Sequence, residues 1–387
     1  MNIIQGNRPV LIFGAGIHLA NAEKEALELV KRLKIPVCLT WGAADLLPES
    51  SPYRIGTFGT HGNRAANFAV QNADFLLCIG TRLDTKATGT PAKWFAREAK
   101  IVMVDVDLAE IEKMDKIGVP VGGYCMDAKE FINTHMLDCR SEIERWTGWL
   151  LKCWSWKKRY PAVLKEYKNE ATINPYVFIQ DLSRLCKGGD IIVSDTGCTL
   201  GWCMQAWEFK EGQRFLHPMN QTPMGYGLPG ALGAYYATGK RIILISGDGS
   251  FMFCMGELAE IGKMRLPIKI FIIENGGHAM CRATQREWMD GVYHSTSCQT
   301  GLYYPDFGAI ADACEIESYN LICKEHGHSA IKCALNGYYP VVTTVCIDYD
   351  HDLKPKVKYG HPNEDAYPYL DKKVLEKEML VPLVETP

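Results

Sequence analysis

Two short polar turns, each at the end of an apolar run, constrain this chain more than any other feature of its sequence. The run Arg241 to Ser246 is apolar and β-branched, the pattern of a strand buried on both faces, and it delivers the turn Gly247-Asp248-Gly249-Ser250. Apolar residues then recur at helical spacing from Phe251 to Met264, a second strand pattern runs from Pro267 to Ile273, and the chain emerges at Glu274-Asn275-Gly276-Gly277. Asp248 and Asn275 therefore stand 27 positions apart in a β-α-β unit with neighbouring strands. Such a unit sets one carboxylate and one amide oxygen side by side at the strand mouths. That pair suits a hard cation, with backbone carbonyls and waters completing its shell, and magnesium (Mg2+) is the natural candidate. Glycines on both turns let backbone N–H groups approach an anion, and a helix opening just after Ser250 adds its positive end, so a diphosphate held through the cation fits the same place. An ordinary β-α-β turn accounts for a lone Gly-Asp-Gly; it does not account for the second element at this distance.

Composition narrows the class. The chain has 387 residues, room for at least two cores, with 47% hydrophobic residues and a net charge of −3, which argues against a nucleic-acid partner. No basic leader with an apolar core and cleavage site opens it, and no apolar run is long enough to cross a bilayer, so a soluble, cytoplasmic protein without a membrane partner is expected. The fifteen cysteines are odd in number and include no Cys-x-x-Cys, the usage of free thiols in a reducing compartment rather than of disulfides or zinc.

The Asp248 and Asn275 pairing resembles the thiamine diphosphate signature, Gly-Asp-Gly-Ser followed after a helix and a strand by Asn-Asn, with Gly276 in place of the second Asn. The resemblance covers almost all of the chain and is to the acetolactate synthase group of thiamine enzymes. It implies that Asp248, Asn275 and the carbonyl of Gly277 hold the metal, and that Gly247, Gly249, Ser250, His278 and Met280 belong to the cofactor site with them. Met224, opening Met224-Gly-Tyr-Gly-Leu-Pro229, matches the bulky residue that props the cofactor in its bent form; an unbranched thioether can wedge between the two rings. Without its flanking motif Met224 would read as core. Thr222 stands where the family has a glycine whose carbonyl meets the aminopyrimidine, and a backbone acceptor tolerates that change. Ser194-Asp195-Thr196-Gly197-Cys198-Thr199, after the strand-like Asp190 to Val193, matches the first diphosphate-contacting turn. There Gly197, Cys198 and Thr199 are assigned to the cofactor, with Thr199 able to donate a hydrogen bond and Cys198 only weakly so.

The same resemblance organises the rest. Residues 1–137 match the family's central domain, 138–172 read as a helical linker punctuated by Trp146, Trp149, Trp154 and Trp156, 173–350 form the diphosphate-side domain opened by Asn174-Pro175, and 351–387 are a tail. The expected fold is α/β, two doubly wound domains with mostly parallel sheets. In acetolactate synthases the central domain holds FAD. Here Gly14-Ala-Gly16 lacks the third glycine of the dinucleotide fingerprint, and Asp84-Thr85-Lys86 loses a charge and a guanidinium fork, so FAD is doubtful and the domain reads as a scaffold. His61 is expected as a satisfied loop histidine ahead of a flavin or substrate contact. Thr284 and Gln285 occupy the place of a substrate-side Gln-Trp pair. The tail is expected either as a lid over the cofactor cleft or as a cover on a surface.

Family members carry a further domain of roughly 170 residues ahead of the central one, an ordinary domain size. That domain supplies the glutamate that bonds the aminopyrimidine. No catalytic residue is assignable in this chain, and the expectation is a split enzyme: a separate pyrimidine-domain subunit supplies the Glu in a hetero-oligomer with at least two copies of this chain. A shortened chain and a protein that has lost catalysis compete with the split enzyme. The implied activity is a carboligase that decarboxylates a 2-oxo acid, with pyruvate preferred, and transfers the acyl unit to a second carbonyl. A keto sugar enters as acceptor because the stretch from Arg282 to Trp288 and the tail resemble acetolactate-synthase-like proteins of bacterial surface-sugar synthesis. A 2-oxo acid decarboxylase releasing an aldehyde is the alternative, and a non-catalytic thiamine-fold binding or regulatory protein is the alternative of another class.

Overall fold

The apolar runs form two six-stranded sheets, all of whose paired strands are parallel, in a computed structural model that describes residues 4, 6–135 and 143–385. Each sheet belongs to its own compact unit, the first comprising Met1–Ala162 with Lys354–Pro387 and the second Val163–Leu353. Residues 1–3, 5, 136 and 137 of the expected central domain, 138–142 at the start of the expected linker and 386–387 at the end of the tail lie outside the described residues.

In the first unit the strands are β1 (Pro9–Phe13), β2 (Val37–Leu39), β3 (Arg54–Thr57), β4 (Phe75–Ile79), β5 (Lys100–Asp105) and β6 (Val121–Cys125), in the spatial order β3-β2-β1-β4-β5-β6. Side chains alternate across a strand, so a sheet with helices on both faces needs apolar residues at every position. Val10, Ile12, Leu76 and Cys78 enter one core while Leu11, Phe13, Leu77 and Ile79 enter the other. Gly14 and Gly16 serve close backbone packing: a Cβ on Gly14 would lie 2.3 Å from the Gly80 carbonyl oxygen, and one on Gly16 2.5 Å from Gly80 Cα. His61 shares a hydrogen bond of 3.2 Å with the neighbouring Thr60 hydroxyl, and its ring is 6.2 Å from that of Trp41.

The tryptophan-rich segment is a helix, Ile143–Arg159, and it is built into the first unit. Trp146, Trp149 and Trp156 are buried, and the Trp149 indole donates to the Pro9 carbonyl at 3.0 Å. The tail is fastened to the same unit. The Arg64 guanidinium donates to the carbonyls of Ala366 and Pro368, Asn67 donates to Asn363, and buried Glu364 accepts from Gln71 and Arg97. Glu378, on the helix Lys372–Glu378, accepts from Trp156 and Tyr160. Of the two roles expected for the tail, covering a surface is the one these contacts describe.

In the second unit the strands are β7 (Ile191–Ser194), β8 (Arg214–Leu216), β9 (Ile242–Gly247), β10 (Ile268–Glu274), β11 (Glu317–Leu321) and β12 (Val341–Cys346), ordered β11-β12-β10-β9-β7-β8. Asn174 caps the helix Pro175–Leu185, its side chain accepting from the backbone of Tyr176 at 2.9 Å, with Pro175 at the position that needs no N–H. The single helix expected over 251–264 is broken. A one-turn helix, Asp248–Phe251, begins at the carboxylate itself, a 3-10 turn covers Met255–Glu257, and Leu258–Lys263 resumes. Phe251, Cys254, Leu258 and Ile261 are all buried, so the side-chain period survives although the hydrogen-bond ladder does not. Glycines at 249 and 256 lower the helical preference of this stretch, and one turn supplies little dipole.

Candidate functional site

From β7 the chain crosses to β8 on one side, and from β9 to β10 on the other, so the connections diverge at the carboxyl ends of β7 and β9. A crevice at such a switch point is where open α/β sheets bind ligands. Four segments meet there. They are Asp195 to Thr199 after β7, the turn carrying Met224 before the helix Gly227–Thr238, Gly247 to Ser250 after β9, and Asn275 to His278 after β10.

Asp248 is 2% exposed. The parallel register pairs Ile273 with Gly247, so the two turns leave adjacent strands together. One carboxylate oxygen accepts from Gly249 N at 2.6 Å, and the other from Asn275 N at 3.0 Å and Gly277 N at 3.2 Å. Burial pushes this carboxyl up to about 6, against the pull of the three N–H groups.

The Asn275 carboxamide can be seated in two ways. With its oxygen toward the Gly277 carbonyl, two acceptors lie 2.6 Å apart with no proton between them. Turned over, the amide donates to that carbonyl and its oxygen accepts from Arg282 Nη2 at 3.3 Å. A carboxylate, a carboxamide and a main-chain carbonyl on these two turns are the oxygen-donor types that suit magnesium. Among the described residues no three His, Cys, Asp or Glu side chains are grouped to hold a metal, so an amide and a main-chain carbonyl are what this site offers beside its carboxylate.

Asp195 is fully buried and ties three segments together. It accepts from Thr196 N at 2.8 Å, Gly225 N at 3.2 Å and Gly227 N at 2.7 Å, and also interacts with the Ser250 hydroxyl. Gly225 and Gly227 follow Met224, so this carboxylate sets the turn on which half-buried Met224 sits. Thr222 has φ +44°, left-handed backbone that is strained for a β-branched residue. Gly197, at φ +90°, turns the chain into the helix Cys198–Ala206. Cys198 and Thr199 are buried in its first turn, and a Cβ on Gly247 would lie 3.3 Å from the Thr199 hydroxyl.

His278 precedes the helix Ala279–Trp288, its N–H donating to the Thr296 carbonyl at 3.0 Å. Burial, and then the Arg282 charge, push its imidazole down toward the neutral form. Met280 is half-buried in the first turn. Thr284 and Gln285 lie on the same helix. The exposed Thr284 hydroxyl donates to the Met280 carbonyl, and the Gln285 amide exchanges two hydrogen bonds with the backbone of His294. The residue of this helix that reaches the metal loop is Arg282, 4% exposed, bonded to the carbonyls of Thr296 and Tyr349 and lying 3.7 Å over the Tyr349 ring. Sequence reasoning misses both Asp195 and Arg282. Asp195 does carry a signal, a carboxylate at a strand end just before Gly197.

Residues 2–134 match the family description "Thiamine pyrophosphate enzyme, central domain", and residues 195–345 match "Thiamine pyrophosphate enzyme, C-terminal TPP binding domain". The chain belongs to the thiamine pyrophosphate enzymes. Within that family it is similar to acetolactate synthase large subunits: at 30% identity to that of Pyropia yezoensis and 31% to that of Corynebacterium glutamicum, each alignment covering 93% of this chain. Acetolactate synthase 2, chloroplastic, of Zea mays is 32% identical over 93% of the chain. The chain spans about three fifths of the length of these curated relatives, 60%, 58% and 57% respectively. No helix among the described residues is long and apolar enough to cross a membrane.

Proposed function

We propose that this chain contributes the diphosphate and metal half of a thiamine diphosphate-dependent carboligase. The observation that carries the proposal is the meeting of two turns at the switch of the second sheet, where the Asp248 carboxylate accepts from the backbone of Asn275 and Gly277 and the Asn275 amide lies beside the Gly277 carbonyl. Asp248 would supply the charge that neutralises magnesium, and the loops of Gly197 to Thr199 and Gly247 to Ser250 would hold the diphosphate beside it. Met224, held by the Asp195 turn, wedges the cofactor into its reactive shape. When bound, thiamine diphosphate supplies a carbon nucleophile for the ketone of a 2-oxo acid and an electron sink as carbon dioxide leaves. His278, neutral and half-buried, lines the site without adding charge beside the cation.

The substrate in this proposal is pyruvate, and its acyl unit passes to a second carbonyl, with a keto sugar as the acceptor class. The glutamate that activates the cofactor has no counterpart among the residues assembled here. It comes from a pyrimidine-side domain outside them, in our reading a separate subunit in a hetero-oligomer with at least two copies of this chain. The central domain serves as a scaffold, since Gly14 and Gly16 are pressed against Gly80. The test is to purify the tagged chain from its native cells with whatever accompanies it, then supply thiamine diphosphate, magnesium and pyruvate. Pyruvate consumption with a new carbon–carbon bond supports the carboligase. Free aldehyde as sole product would replace it with a decarboxylase, and a complex inert with added cofactor would leave a non-catalytic binding protein.

A further inference from the structure

Tyr304 stands at the same end of the second sheet, and its hydroxyl has no part in the function proposed for the site. It lies just before Asp306, which caps the helix Phe307–Ala313. Its ring is fixed by packing, tilted against Phe307 at a centroid distance of 6.2 Å and edge-on to His278 at 6.5 Å. The hydroxyl is sealed from solvent and makes no hydrogen bond with any described residue. Buried polar atoms almost always have partners, and an orphaned one is a liability unless a ligand completes it.

The hydroxyl faces the turn that carries Asp248. A Cβ on Gly249 would lie 3.1 Å from it and 2.4 Å from the Nδ1 and Cε1 atoms of His278, so glycine at 249 is what lets both rings approach the turn. Asp248 makes no hydrogen bond to the hydroxyl; its oxygens accept instead from the N–H groups of Gly249, Asn275 and Gly277. Burial, and then the Asp248 charge, push the Tyr304 phenol above its ordinary value, which keeps it a proton donor. A donor aimed at a turn whose carboxylate is already engaged calls for an acceptor from outside the chain, and beside a cation site that acceptor is an anion.

We propose that the Tyr304 hydroxyl is a further ligand of the diphosphate group, donating a hydrogen bond to one of its oxygens on the Gly249 side of the cation site. The proposal rests on the magnesium diphosphate reading of that site. It makes two predictions of opposite sign for Tyr304→Phe, which keeps the ring and deletes only the oxygen. The ligand-free variant melts at the wild-type temperature or higher, because an uncompensated polar atom has gone. Its affinity for the ligand falls roughly tenfold or more, the scale of a hydrogen bond to a charged group.

The experiment is calorimetric titration of the full chain, wild type and Tyr304→Phe, with thiamine diphosphate and separately with inorganic diphosphate, both in excess magnesium, alongside thermal melts without ligand. Weakened binding of both probes with an undiminished melting temperature is the expected result. Equal affinities in the two proteins overturn the inference and leave the magnesium diphosphate reading standing. Loss confined to thiamine diphosphate would put Tyr304 against another part of the cofactor, and a lowered melting temperature would make it a packing residue; either overturns the inference. A wild-type chain that binds neither probe overturns both the inference and the reading beneath it.

Discussion

Asp248 answers to two opposing demands, since burial disfavours its charge and a bound cation requires it. Its folded value, about 6, is raised above the ordinary 3.8, so between those values the folded chain holds a proton that the unfolded chain has released. Without a cation, the contribution of this group to stability is therefore present at low pH and is lost as pH rises through that window, by roughly 3 kcal/mol in all. Denaturant melts of the magnesium-free chain and of Asp248→Asn should show the wild type losing ground to the variant between about pH 4 and pH 6, with a constant difference above. A difference that does not change with pH would mean that the carboxylate is not strained by burial. Asp195 has the complementary task of satisfying backbone donors in the turn that follows Met224. Asp195→Asn keeps one acceptor oxygen and turns a donor toward the remaining N–H, so we expect a loss of about 1–3 kcal/mol in urea melts, with weaker thiamine diphosphate binding.

At the scale of elements, three of the four site segments begin where a strand ends, and one of these corners turns at Gly197, at φ +90° and ψ −156°. Only glycine occupies that region readily. Gly197→Ala should cost about 1–3 kcal/mol and displace Cys198 and Thr199, measured as a lower unfolding midpoint and weaker cofactor binding. The strands around these corners were legible in the sequence because both sheet faces are covered, which forces runs such as Ile242 to Ile245 to be apolar throughout. That the turns of Asp248 and Asn275 adjoin was legible because two turns on adjacent parallel strands have a spacing set by one crossover. The broken helix after Asp248 was not, since Phe251, Cys254, Leu258 and Ile261 keep helical spacing across a backbone that has left the helix. Arg282 and Tyr304 were not legible either. Arg282 acquires its place from Thr296 and Tyr349, and Tyr304 from Gly249, contacts across 14 to 67 positions that no local pattern announces. Gln285 shows the converse, a residue in the expected position that is engaged by His294.

Over the whole molecule, two units with separate cores divide the work. The first is closed by its own tail, and the fastening is polar and buried: Glu364 is 1% exposed and holds both Gln71 and Arg97. Glu364→Ala removes the carboxylate that pairs with the Arg97 charge and leaves the donors of Gln71 and Arg97 only their bonds to the Trp94 and Pro382 carbonyls, and a loss of about 3 kcal/mol is expected. The transition of the first unit should move, while magnesium and cofactor protect the second unit as in the wild type. The second unit holds every residue proposed for the cation and the diphosphate, and ligand binding there stabilises the folded state by mass action. The measurement to make is therefore calorimetric titration of thiamine diphosphate into the full chain, wild type and Asp248→Ala, with magnesium and again with chelator. Binding by the wild type that requires magnesium and disappears in Asp248→Ala is the predicted result. Affinity unchanged by the substitution, or indifferent to the metal, would contradict the assignment of Asp248, Asn275 and Gly277 as the cation site.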